Sequence, residues 1–590
     1  SSLDLTIVQH GVPFNVGIHE YEGDIFSPKG HKYIREYNVD IASSTTYRVG
    51  GVVLQKEFLF CHYTNRMLQR YTLLEAHSRT TLRLSPFLAF RDVKMLTHRN
   101  DQYHGDYGQA KSGVTFCLYP GYPTLYLQLS KAHNFVSDPH WNERIEYIKE
   151  RERGYEYTED LYVPGYFEVD IEVGESIYFS AGVEEADPDT LAQLFAEERN
   201  IRITRDDFRS CLLNAALQFY YRPDATHGYL LAGYPWFGVR ARDLFIALPG
   251  CTIYADAPER FYRIMDTVLP DMRAFMRQEG ISKEIRNINE GDIGLWAIWT
   301  LQEYARWSSL PDMVSRYGDF LDELIHYYLR NVHPNLRIDD NGLCVMTGDG
   351  RPLSWMDAKV NGQAVVRREG YLVEVNALWY NALCFYREAL PQKWTPKLEE
   401  LLGRVQQSFC DTFINQHGYL FDYVHPHSSW RDWSVRPNMV FATSLPYSPL
   451  PKATRRSVLE IITRELRTPK GLRSLSPKSD GYQPQCHGTQ WQREQSYYNG
   501  SVWPWLLGPY FEACIKLYGR SAISFIENTL IGMEEELQQH GVGTVSELFD
   551  GNPPFSGRGA ISFAMNVSSI LRAFRQLEKH RLEEEAAERD

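Results

Sequence analysis

Four segments of the chain set carboxylates, arginine and tryptophan close together in loop-like contexts. They are Ala232–Gly250 (AGYPWFGVRARDLFIALPG), Leu353–Lys359 (LSWMDAK) followed by Val373–Leu383 (VEVNALWYNAL), Gln495–Pro509 (QSYYNGSVWPWLLGP) and Gly543–Gly551 (GTVSELFDG). Breaking an unactivated acetal needs a proton donor for the leaving oxygen and a second carboxylate. Sugar rings also need flat apolar faces to stack on and charged or amide groups to hold hydroxyls. The Trp, Tyr, Asp, Glu, Arg and Asn of these segments supply all of these. Spacing alone does not separate one acid from the other Asp and Glu residues, 75 in all, because most such groups are solvated surface charges. Asp357 stands apart by lying between Trp355–Met356 and Lys359, where a local charge can tune its proton affinity. Arg242–Asp243 reads equally well as a buried ion pair, and Glu547 as a capped turn carboxylate.

Two kinds of element must position these residues. Up to about residue 190, short segments rich in Val, Leu, Tyr and Phe alternate with Gly, Pro, Asn and Asp: Tyr47–Leu59, Arg70–Leu74, Thr81–Leu88, Val114–Tyr119, Thr124–Leu129 and Tyr166–Phe179. That pattern predicts an antiparallel β-sandwich, interrupted at Trp141–Gly154 by a short helix or excursion. Beyond it the apolar period becomes helical. Phe208, Leu212, Ala215, Ala216 and Phe219 share one face behind a Thr204 N-cap. Further helices are predicted at 257–278, 291–306, 312–331, 371–389, 395–416, 452–466, 502–518, 520–539 and 561–579. Ten to twelve helices with long loops fit an α/α toroid, whose inner helices are apolar nearly all round and whose loops gather at one mouth. The predicted organisation is a β-sandwich over 1–190, a linker over 191–204, the helical barrel over 205–580 and a charged tail over 581–590.

Bulk composition narrows the function. The chain is 43% hydrophobic and 23% charged with a net charge of −13, the balance of a globular protein without the Lys/Arg surface that nucleic acid or an anionic membrane requires. Nine scattered cysteines predict free thiols and a cytoplasmic location. No apolar run reaches the length of a membrane span, and the N-terminus lacks a signal-peptide pattern. Asp/Gly turns at 339–342 and 348–350 lack the ligand pattern of a calcium loop. His425 and His427 stand without a zinc motif. No metal and no cofactor is expected.

Taken together, the segments resemble the amylo-α-1,6-glucosidase family of glycogen debranching enzymes. AGYPWFG, RDLFIALPG, SWMDAK, VEVNALWYNAL, VRPNMVFATSLP, GLRSLSP, YYNGSVWPWLLGP and SELFDG occur in the family's order. GHKYIREYNVD and GGVVLQKEFLF look more loosely like its N-terminal β-domain. The resemblance implies an (α/α)6 barrel preceded by a β-sandwich, more sequence ahead of Ser1, and hydrolysis with inversion of α-1,6-linked glucose on a polysaccharide substrate such as glycogen or limit dextrin. It implies Asp357 as general acid and Glu547 as general base, with Glu374 or Asp550 as alternatives for the base. Arg242 and Asp243 would grip the terminal glucose. Trp236, Trp355, Trp379 and Trp503 would stack on sugar rings, and Glu374, Asn376, Arg436 and Asn438 would bond hydroxyls.

The chain departs from the family pattern in places. It has Arg240-Ala241 where the family has Trp-Gly, and Tyr498 where the family has histidine. These changes bear on substrate preference. No alternating β/α pattern for a transferase barrel is present. A related α-glucosidase acting on trehalose or α-1,4 oligosaccharides, or a non-catalytic carbohydrate-binding protein, is the competing reading.

Overall fold

The structure, a computed structural model, describes residues 2–587, with side chains through 581. The chain divides into two compact units, Ser1–Arg205 and Asp206–Asp590.

In the first unit two antiparallel sheets enclose one core. Five strands run in the order Asn134–Glu146, Thr158–Ile171, Thr80–Phe87, Ser2–Gln9, Val12–Asn15. Eight run in the order Gly108–Ala110, Gly113–Phe116, Leu125–Leu129, Ser176–Gly182, Arg66–Glu75, Val52–Phe60, Ser43–Val49, Ile34–Val39. Side chains two apart share a face, so Leu3, Leu5 and Ile7 meet Tyr71, Leu73, Ile177 and Phe179 of the opposite sheet. Tyr47–Leu59 is two strands, because Gly50 (φ 57°) and Gly51 (φ 80°) turn the chain between Val49 and Val52, a two-residue hairpin that needs positive φ. The excursion expected at 141–154 begins as strand as far as Glu146 and continues as the short helix α1 (Ile148–Glu152). The segment expected as a linker at 191–204 contains helix α2 (Leu191–Asn200). Its Leu191 and Phe195, one turn apart, pack on Leu59 and Leu68.

The second unit is helical. Among the described residues its helices are α3 (Phe208–Phe219), α4 (Ala241–Cys251), α5 (Pro258–Met276), α6 (Ile293–Trp307), α7 (Leu310–Leu329), α8 (Val373–Ala389), α9 (Pro396–Phe413), α10 (Phe441–Ser444, entered through the tight turn Pro437–Val440), α11 (Lys452–Glu465), α12 (Gln490–Tyr497), α13 (Leu507–Tyr518), α14 (Ile523–Met533) and α15 (Ala564–Ala587). Every residue of α4 is buried, and α6 and α8 nearly so. By contrast α5, α7, α9 and α11 bury one stripe each, as outer helices must. The buried helices touch in the order α4, α6, α8, α10, α13, α15 and back to α4. That closed inner ring, with an outer partner beside each member, is an (α/α)6 barrel.

Helix starts follow local chemistry. Asp207, rather than Thr204, caps α3 in a capping box with Ser210, while Ser309 and Thr395 cap α7 and α9. Periodicity did not predict α4 or α10, since Pro249–Gly250 lies inside the first and Pro437 and Pro446 flank the second. From 588 onward the charged tail lies outside the described residues; up to Ala587 its backbone continues α15. Among the described residues no helix is long and apolar enough to cross a membrane, and the nine cysteines are free thiols.

Candidate active site

The motif residues gather where the inner helices begin. Arg240 and Asp243 start α4, Glu290 and Asp292 precede α6, Glu374 opens α8, Asn438 precedes α10, Trp503 precedes α13, and Ser562–Phe563 leads into α15. Cross-links tie these starts together. Arg242 Nε donates to Asp292 Oδ2 over 2.8 Å, Gly233 pairs with Phe563, and Asn566 Nδ2 donates to the carbonyls of Ser546 and Glu547 over 2.6 and 2.8 Å. One end of the barrel therefore carries nearly all of the polar motif residues.

Two carboxyl groups meet there through a pair of consecutive tyrosines. Tyr498 Oη donates to Asp357 Oδ1 over 2.8 Å, and Tyr497 Oη donates to Glu547 Oε1. Both phenols are held well above their ordinary range, first by burial and then by the carboxylate each faces, so they act as neutral donors. Asp357 Oδ2 is engaged by the Arg240 guanidinium, whose Nε also lies 3.3 Å from Asp243 Oδ2. Trp503 lies flat against Tyr498, ring centres 5.2 Å apart and planes at 8°, which fixes the phenol's aim.

The two acids differ in environment. Asp357 keeps 22% of its side chain exposed, whereas Glu547 is 2% exposed. Burial pushes the Glu547 carboxyl up to about 7, against the Tyr497 hydrogen bond, the Ala560 N–H and the charge of Arg240. That N–H reaches Glu547 Oε2 over 2.8 Å because the chain turns at Gly559 (φ 70°), where a Cβ would collide with the carboxylate. Burial also raises Asp243 and Glu494, and pushes Glu290 up to about 7 in spite of its ion pair with Arg242.

Several predicted sugar contacts bond other groups of the protein. Trp379 is fully buried, with Nε1 donating to the Gly342 carbonyl over 3.1 Å. Asn376 bonds both backbone groups of Cys344. Glu374 is locked by Arg368, at 2.5 and 2.7 Å, and Asp550 by Arg558 and the Cys486 N–H. Both alternatives for the base are thus ion-paired with arginine side chains. Asn438 accepts from Trp355 Nε1 over 2.7 Å and donates to Asp422. Arg436 donates to the carbonyls of Ser474 and Tyr498. Trp355 and Trp503 are buried edge-to-face against one another. Trp236 is half-buried beside Phe237, over whose ring the Arg240 guanidinium sits at 5.4 Å.

The frame as a whole aims the Asp357 loop. Arg368 holds Ser354 Oγ at 3.0 Å while pairing with Glu374 and Asp422, so Ser354, Trp355 and Asp357 are fixed within four residues. Sequence reading missed Arg368, Asp422, Glu290, Asp292, Tyr497 and Asn566, of which only Tyr497 lies inside a quoted motif and none forms a recognisable acid–base pattern. Arg240 and Tyr498 carried a signal, as departures from the family pattern. Among the described residues no three His, Cys, Asp or Glu side chains gather as metal ligands.

Residues 214–572, more than half of the chain, match the family described as amylo-alpha-1,6-glucosidase, and residues 1–178 match the N-terminal part of glycogen debranching enzyme. No sequence among curated proteins matches the chain. Among solved structures, a bacterial glucoamylase complexed with acarbose is similar with a TM-score of 0.56 and 11% identity, over 98% of this chain and 88% of that one, a likeness of fold.

Proposed function

The chain belongs to the amylo-α-1,6-glucosidase family of glycoside hydrolases, and from that premise we propose that it removes α-1,6-linked glucose from branch stubs of glycogen-type polysaccharide by single displacement with inversion. The observation that carries this reading is the tyrosine pair, which presents one hydroxyl to Asp357 and the next to Glu547. Asp357 gives its proton to the glycosidic oxygen as the bond to the anomeric carbon breaks. A water attacks that carbon from the opposite face and yields its proton to Glu547, so that β-glucose leaves. Such a mechanism needs the carboxyls about 6.5–9.5 Å apart, with room for the water.

Arg242 and Asp243 at the start of α4 would hold hydroxyls of the terminal glucose, Arg242 by exchanging part of its pairing with Glu290 and Asp292, and the half-buried Trp236 would offer an indole face. Arg240 must release Asp357 Oδ2 before that oxygen can carry a proton to the substrate, a step that sugar hydroxyls competing for the guanidinium would drive. The other members of the frame hold the Asp357 loop and Tyr498 without touching sugar.

A second assignment has one observation in its favour. Because burial raises Glu547 to about 7, Glu547 could hold the proton and Asp357 activate the water. Glucose release from a phosphorylase limit dextrin, linear maltooligosaccharides and trehalose tests the substrate. Rapid release from the limit dextrin alone supports the proposal, and cleavage of trehalose or linear sugar instead overturns it. α-Glucosyl fluoride separates the roles, since fluoride leaves without an acid. On it Asp357→Asn should retain hydrolysis while Glu547→Gln does not; the reverse result exchanges the two residues.

A further inference from the structure

On the flank of the helical unit lies a cleft that shares no lining residue with the site around Asp357. Its volume is about 470 Å³, within the roughly 300–1,000 Å³ of small-molecule sites. One wall is the turn after α9. There Gly418 N–H donates to the Asn415 carbonyl over 3.0 Å, and Gly418 adopts φ 78°, which only glycine takes without strain. The turn presents His417 and Tyr419 on one side, ring planes 14° apart. Trp433 stands across from them at 67° to His417, braced on Phe421 at 4.7 Å, and remains 45% exposed.

The opposite wall comes from α11 and the loop after Gly471–Arg473. Glu465 is fixed there, accepting from Ser476 Oγ over 2.6 Å and from Lys478 Nζ over 3.0 Å, with the hydroxyls of Ser457 and Ser479 nearby. The charged lining residues are Glu460 and Glu465 against Arg464 and Lys478. Their charges cancel, so the cleft selects neither anion nor cation. An uncharged ligand that presents an apolar face to indole and a rim of hydroxyls to carboxylate, ammonium and serine fits this lining, and that is the chemistry of a sugar ring.

We propose that the cleft between Trp433, His417, Tyr419 and Glu465 is a second carbohydrate-binding site, taking a segment of the glucan chain away from the cleaved end. The choice of an α-glucan among sugars rests on the proposed function. Two sites on one protein raise the local concentration of polymer ends at the catalytic one. The floor of the cleft also adjoins the catalytic frame, because the Val435 carbonyl accepts from Ser476 N–H over 3.0 Å and the next residue, Arg436, holds the Tyr498 carbonyl.

Calorimetric titration of maltoheptaose into the Asp357→Asn protein, which does not consume it, tests the site. Ser457→Trp fills the cleft from the surface of α11, and His417→Ala removes one ring from an exposed turn; thermal midpoints check that both fold. The proposal expects one binding event fewer in Ser457→Trp and affinity for that event about tenfold weaker in His417→Ala, the loss of one aromatic platform. In the active enzyme both variants should raise KM for limit dextrin and leave turnover of α-glucosyl fluoride unchanged. Titrations identical to the parent in both variants would overturn the site, whether or not limit dextrin is cleaved. Loss of an event in Ser457→Trp, with no cleavage by the wild type, would uphold the site and bring down the proposed activity.

Discussion

Tyr498 donates to Asp357 Oδ1 over 2.8 Å while Trp503 lies flat on its ring, so one phenol both orients the carboxyl and is itself oriented by the barrel. A hydrogen bond to a charged group contributes about 1.5–3 kcal/mol. Tyr498→Phe keeps the ring stack and loses only the hydroxyl. It should lower kcat by roughly 10- to 100-fold with little change in KM, since the lost contact is to an enzyme group and not to substrate. Steady-state kinetics on limit dextrin checks this, and a raised KM at unchanged kcat would assign Tyr498 to sugar binding.

The pH profile should carry the titration of Glu547 near 7. As the base it must be ionised, so kcat/KM should rise as pH increases through that value. Tyr497 and Arg240 both lower its proton affinity. Tyr497→Phe and Arg240→Leu should therefore each move that acid limb to higher pH. If Glu547 is the acid instead, activity falls as pH rises through the same value, and both substitutions extend the active range upward.

Stability should respond to the same group. The folded pKa of Glu547 lies above its ordinary 4.5, at about 7, so the folded state binds the proton more tightly than the unfolded one. Its contribution is fully present below 4.5 and is lost as pH rises through about 7. Glu547→Gln has no such proton to lose. Relative to wild type it should gain stability between pH 5 and pH 8, by on the order of 3 kcal/mol at most. Denaturant melts at the two pH values measure the difference, and a constant offset would show that Glu547 does not titrate in this window.

The framework residues should fail differently from the acids. Trp379→Ala opens a cavity in α8 and should cost about 3–5 kcal/mol without altering KM, because its indole bonds Gly342 and meets no substrate. Arg368→Met strands Glu374 and Asp422, which pair with it in the interior, and should cost about 3–5 kcal/mol. Thermal and urea unfolding check both, and a near-neutral Arg368→Met would mean that the two carboxyls take up protons at little expense.

The order of the parts was legible along the chain. Alternating strands marked the sandwich, near-continuous apolar runs marked α8 and α13 of the inner ring but not α4 or α10, and eight ordered motifs pointed to the two carboxyls. Local signals were enough there, because strand alternation, helical period and motif order are each written along the chain. The sequence did not separate residues that line the mouth from residues that hold it. Glu374, Asn376 and Trp379 share one motif, yet all three are buried and bonded to other parts of the protein. On a helix buried on every side, the period does not say which side chain meets solvent or substrate. Arg240 and Tyr498 were visible only as departures from a pattern, and closing the ring brings both onto Asp357 from 117 and 141 residues away. Which carboxyl is buried, which is paired with arginine and which stays partly exposed depends on contacts between distant segments. Those contacts arise when the ring closes, because burial and ion pairing are properties of the assembled barrel.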